Sequence, residues 1–164
     1  MPRSTRPELP KDFLDLLSCL AKARCRYLVV GGHALAIAGH PRFTQDLDLL
    51  VEPTPANAKR VGRALGAFGF PAHAEAVVEQ FARPKRIAVL GVAPLSIDIM
   101  TSLSGVSFAR AWKGRVVVPL GSLRVPFLGR AELIANKVAS GRPQDLVDVA
   151  VLRGLELSER ARSK

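Results

Sequence analysis

The sequence predicts an α/β domain, a mixed β-sheet with flanking helices and a helical pair at its C-terminal end. Two observations carry this. Short apolar runs alternate with segments of helical periodicity, starting from Tyr27–Val30. Two later pairs of apolar runs, 85–90 with 95–101 and 115–119 with 122–127, each read as a hairpin, so the sheet mixes strand directions. The 164 residues fit one domain able to bury a sizeable core. Hydrophobic residues make up 48% but aromatics only 5%, so that core rests on Leu, Val, Ala and Ile.

Each element has a local reason. Residues 1–10 read as a flexible lead with three prolines. Lys11 to Ala23 carries Phe13, Leu14, Leu16, Leu17 and Leu20 at helical spacing, an amphipathic helix packed on the sheet. Tyr27 to Val30 is a buried strand. Gly31 and Gly32 follow, then a short helix of small residues from His33 to Ala38, a loop from Gly39 to Thr44, and a second apolar strand to Val51. Thr54 as N-cap and Pro55 at the first helical position open a helix to Phe68, closed by Gly69. Residues 71–83 are ambiguous, with Ala74 to Phe81 either helix or irregular strand. The first hairpin turns through a short Gly-containing segment, and Ser104 to Trp112 is a short helix or loop before the second. A helix from Gly129 to Ser140 stops at Gly141, and a last one runs from Pro143 to about Gly154. Residues 11–157 form the single domain and 158–164 a basic tail.

Charge and cysteine usage narrow the function classes. The net charge of +10 suits anionic partners, nucleotide or RNA, or reflects an arginine-rich background. No apolar run is long enough to span a membrane, and the N-terminus lacks the apolar core of a secretory signal. Cys19 and Cys25 show no metal-ligand spacing and read as reduced thiols of a cytoplasmic protein. With one Trp and one Tyr, and with scattered basic residues, a plain nucleic-acid-binding domain is disfavoured.

Chemistry concentrates in Tyr27 to Val51. In a strand, Asp46 and Asp48 share one face while Leu47 and Leu49 turn to the core. Two adjacent carboxylates repel unless a cation sits between them, and Mg²⁺ takes carboxylate oxygens and substrate phosphates alike. Gly31 and Gly32, between a strand and a helix, let backbone N–H groups approach a phosphate. The expected ligand is a triphosphate. Asp98, in Leu95–Thr101, lies mid-strand with Ser96 and Met100 on its face, which is costly without a partner. That partner is a metal or a neighbouring arginine such as Arg86.

An apolar strand, Gly31-Gly32, a spacer of about ten residues, then Asp46-Leu47-Asp48 between apolar residues resembles the polymerase-beta-like nucleotidyltransferase superfamily. The resemblance implies the nucleotidyltransferase fold and transfer of a nucleoside monophosphate from an NTP to a hydroxyl. Asp46 and Asp48 would hold two Mg²⁺ ions about 4 Å apart, with Mn²⁺ as a substitute, and Asp98 matches the third acidic ligand and the base. Arg42 and Thr44 fit the R-x-T-x-D-x-D form of some subfamilies, Arg42 clamping the triphosphate or standing solvated in its loop. His33 either touches phosphate or faces solvent, and His40 and His73 read as loop residues. Farther on, Leu133-Ile134-x-x-Lys137, Gly141-Arg142-Pro143 and Asp145-x-x-Asp148 resemble the abortive-infection-type nucleotidyltransferase toxins and their small relatives. That implies Lys137 as a phosphate contact and Asp145 as the residue positioning Lys137 or Arg142, or else a helix-cap ion cluster. The toxins' larger C-terminal helical part is absent. The expected activity is NMP transfer to RNA, protein or a small molecule, in a toxin–antitoxin or defence setting and with a partner chain completing the acceptor site. The alternative is a non-catalytic or partner-dependent nucleotide-binding module.

Overall fold

The sheet grows outward from Tyr27–Val30 (β1), which is buried along its whole length as an apolar run covered on both faces must be. A computed structural model describes residues 8–91 and 95–164. The other strands are Asp46–Val51 (β2), Ile87–Leu90 (β3), Ser96–Met100 (β4), Val116–Leu120 (β5) and Leu123–Phe127 (β6). They form one six-stranded sheet in the order β3-β4-β2-β1-β6-β5. β3/β4 and β5/β6 are the two antiparallel hairpins expected. β1 runs antiparallel to β2 and parallel to β6, and β2 runs parallel to β4. The sheet is mixed. Its register sets Asp48 opposite Val30 on one side and Asp98 on the other, and Asp46 opposite Ser96.

Helices cover this frame. Lys11–Lys22 (α1) buries Phe13, Leu16, Leu17 and Leu20, a stripe at three- and four-residue spacing. Gly31–Ile37 (α2) starts at the first glycine, two residues before the expected start at His33. Pro55–Phe68 (α3) is capped as its sequence dictates. Thr54 Oγ1 accepts the Asn57 N–H at 3.2 Å, and Gly69 ends the helix in the left-handed region at φ 117°. Asn57 is itself buried, bonding the Arg26 N–H and the Arg26 and Glu52 carbonyls at 2.8, 2.9 and 3.0 Å, which locks the start of β1 to the end of β2. The ambiguous stretch is a helix, Pro71–Gln80 (α4), and His73 belongs to it rather than to a loop. Phe108–Lys113 (α5) follows its Ser107 cap, and Arg130–Ser140 (α6) with Pro143–Arg162 (α7) makes the C-terminal pair. Cys19 and Cys25 are free, and burial pushes the Cys25 thiol up to about 12, which makes it inert.

One boundary differs clearly. α7 continues past Gly154 to Arg162, so most of the expected basic tail is helix. Arg130 is the reason. Its Nη1 and Nη2 donate to the Glu159 carboxylate at 2.7 and 2.9 Å, while Nε and Nη2 reach the Ala38 carbonyl at 3.1 and 2.9 Å. Leu155 packs on the core. Part of the N-terminal lead (1–7) and of the first hairpin's turn (92–94) lies outside the described residues.

Candidate active site

The glycine pair is required by what packs on it. Gly31 has φ +67°, and a Cβ built there would fall on Asp48 Oδ2. A Cβ on Gly32 would lie 2.9 Å from the Thr44 Cβ. Bare backbone thus lets the β2 carboxylate and the loop before β2 press against the first turn of α2. Beside them opens a polar cleft of ≈ 230 Å³ walled by Gly31, Gly32, Arg42, Phe43, Thr44, Asp48, Asn136, Lys137, Arg142 and Asp145. A second cleft of ≈ 360 Å³ shares Gly31, Asp48, Asn136 and Arg142 and continues past Met100 and Ser102. Asp48 is a common wall of both.

The three strand carboxylates share one sheet face but differ in surroundings. Asp46 is exposed, its Oδ1 accepting from Ser96 Oγ at 2.7 Å, with Thr44 Oγ1 3.4 Å from its backbone nitrogen. Asp48 and Asp98 are hydrogen-bonded to each other. Burial, then the charges of Asp98 and Asp46 and the bond to Asp98, push Asp48 up to about 7. Burial and Asp46 raise Asp98 as well, while its bond to Asp48 opposes this. Both carboxylates thus hold a proton more readily than an ordinary Asp, as expected for like charges without a cation. Arg86 does not supply one: among the described residues it forms no ion pair with Asp98, and no arginine is among the groups that shift that carboxyl. Among the described residues no three His, Cys, Asp or Glu side chains form a ready ligand set, and Asp46 is hydrogen-bonded to Ser96. The Asp48–Asp98 pair fits a hard divalent ion in its donor chemistry, and Asp46 would join by releasing Ser96.

The opposite wall is an ion network. Lys137 is buried, with Nζ 2.8 Å from Asp148 Oδ2 and 3.4 Å from Asp145 Oδ1. Arg142 Nε donates to Asp145 Oδ2 at 2.8 Å. Asp148 is fully buried and also meets Arg42 Nη2 at 3.3 Å, His40 Nε2 at 3.4 Å and Gln144 Nε2 at 3.3 Å. Burial alone would raise Asp148. The hydrogen bond and charge of Lys137, with Gln144 and Arg42, outweigh it and hold the carboxyl below its ordinary range. Asp145 is lowered likewise: burial is outweighed by Arg142 and Lys137.

A family model described as nucleotidyltransferase of unknown function (DUF6036) matches residues 12–153. The chain belongs to this family. Among solved structures, a candidate nucleotidyltransferase from Thermotoga maritima (TM1012) superposes with TM-score 0.55 over 93% of this chain and 91% of that one, at 14% identity. At that identity the likeness is one of fold. No curated protein matches the sequence significantly.

In this nucleotidyltransferase chain the structure gathers Gly31, Gly32, Arg42, Thr44, Asp48, Lys137 and Asp145 around one cleft. Asp46 and Asp98 adjoin it through the sheet register. Asp145 touches both Lys137 and Arg142, the two partners expected for it. Arg42 is exposed in its loop, yet it is paired with Asp148 rather than free. His33 does not face solvent. It is buried edge-on to Phe13, with ring centroids 6.1 Å apart, and burial lowers its pKa. Asp148 was not singled out from the sequence as a site residue. Its spacing from Asp145 put both on one helix face without saying which would take the lysine.

Proposed function

We propose that the chain is a divalent-cation-dependent nucleotidyltransferase that moves NMP from an NTP to a hydroxyl acceptor. One observation carries the reading: Asp48, set beside Asp98 by the β2–β4 register, lines a cleft whose other walls are two bare glycines and the side chains of Arg42, Lys137 and Arg142. Asp48 and Asp98, joined by Asp46, would hold Mg²⁺. When bound, Mg²⁺ neutralises phosphate charge that the carboxylates would otherwise repel. The N–H groups of Gly31 and Gly32 face the phosphates, and Arg42, Lys137 and Arg142 supply positive charge from the opposite wall. Asp98 accepts the proton of the acceptor hydroxyl. That oxygen bonds to the α-phosphorus as the bond to pyrophosphate breaks. The second cleft, beyond Asp48, is the acceptor's side. RNA, a protein side chain or a small molecule fits this chemistry, and the Lys137–Asp145 resemblance supports a defence setting.

A second reading is favoured by Asp46 being held by Ser96: a nucleotide-binding module that needs a partner chain to complete its ligand set. The separating experiment incubates protein with each α-³²P-labelled NTP, Mg²⁺, cellular RNA and lysate, beside Asp46→Asn/Asp48→Asn. Label on RNA or a protein band with wild type alone supports the transferase and names its acceptor class. Mg²⁺-dependent NTP binding without transfer supports the module.

A further inference from the structure

Phe43 is more exposed than any other large hydrophobic side chain among the described residues, at 86%. It stands on the rim of the ≈ 230 Å³ cleft. The loop beneath it is tied down on both sides. Arg42 is held by buried Asp148 at 3.3 Å, and Thr44 packs against Gly32. A ring fixed in water by its neighbours gains nothing for folding, since apolar surface is stabilising only when covered. Singly exposed apolar side chains are common, but this one lines a polar cleft, where a ligand can cover it.

The cleft says which part of a ligand. At ≈ 230 Å³ it falls below the roughly 300–1,000 Å³ of pockets that enclose a whole drug-sized molecule. Apart from Phe43, its walls are charged or polar side chains and bare backbone, and its other apolar wall residue, Leu133, is itself buried. Phosphates suit the inside and a base does not. An NTP seated by its phosphates carries its base out to the rim, where the aromatic ring is. We infer that Phe43 is the stacking platform for the nucleobase of the bound NTP. This rests on the reading of the cleft as a triphosphate site. Every base has a π-face, so Phe43 adds affinity without choosing among bases.

Calorimetric titration of wild type, Phe43→Ala and Phe43→Tyr with each NTP and with inorganic tripolyphosphate, all in Mg²⁺, tests this. Expected is a loss of about five- to a hundred-fold in NTP affinity for Phe43→Ala, near wild-type affinity for Phe43→Tyr, and unchanged tripolyphosphate binding in both. Unchanged NTP affinity in Phe43→Ala overturns the inference and leaves the triphosphate reading standing. Equal loss of both ligands also overturns it, since the ring would then shape the cleft rather than meet a base. Intact NTP affinity with reduced labelling of RNA assigns the ring to the acceptor and overturns it too. A wild type that binds neither ligand removes the triphosphate reading and this inference with it.

Discussion

Replacing Asp148 with Ala strands a buried ammonium. The Lys137 side chain is 10% exposed and that of Asp148 0%, at 2.8 Å. Removing one partner of a buried pair costs about 3–5 kcal/mol, because the other charge stays out of water uncompensated. Asp145, 3.4 Å from the same ammonium, retains part of the compensation. Arg42 is 39% exposed in its side chain and regains water, so its pair with Asp148 adds at most about 1 kcal/mol. The expected loss is therefore near the lower limit, about 3 kcal/mol, or roughly 6–12 °C in Tm for a chain of this length. Urea and thermal unfolding at pH 7 measure it. Lys137→Met/Asp148→Leu removes both charges and keeps the volume, and should recover most of the loss. A loss under about 1 kcal/mol, or a double variant weaker than Asp148→Ala, would refute the buried-pair account.

Gly31→Ala forces a side chain into φ +67° and onto Asp48 Oδ2. It should cost about 1–2 kcal/mol for the backbone alone and weaken NTP binding further by displacing Asp48, read by chemical unfolding and calorimetry. Asp48, with its folded pKa raised to about 7, binds a proton more tightly folded than unfolded. In a chelator, stability should therefore rise by roughly 2–4 kcal/mol as pH falls from above 7 toward 4, and Asp48→Asn should flatten that slope. Asp145 and Asp148 act oppositely. Their lowered pKa values give stability that is full above the ordinary carboxylate range and lost as pH falls below it, so acid unfolding should begin there and begin earlier in Lys137→Met.

What the sequence made legible is what local chemistry decides. The Thr54 cap, Pro55 and Gly69 delimit α3 because each acts within a turn of its own position. Alternation along Asp46–Val51 placed the carboxylates on one face because the period of a strand is two. What stayed hidden depends on partners far along the chain. α7 outruns Gly154 because Arg130, 29 residues before Glu159, reaches it. His33 is buried because Phe13 of α1 covers it. Arg42 meets Asp148 only once α7 packs beside the loop before β2. The motif spacing located the glycines and the carboxylates, but no spacing told that one buried aspartate would hold Lys137, Arg42 and His40 together.

The most direct measurement is calorimetric titration of a non-hydrolysable NTP into wild type and Asp48→Asn, with Mg²⁺ and in chelator, which needs no acceptor. Wild type should bind only with Mg²⁺, and Asp48→Asn, folded by circular dichroism, should lose that dependence along with the affinity. Equal binding in chelator, or wild-type binding by Asp48→Asn, would contradict a cation-dependent triphosphate site at Asp48.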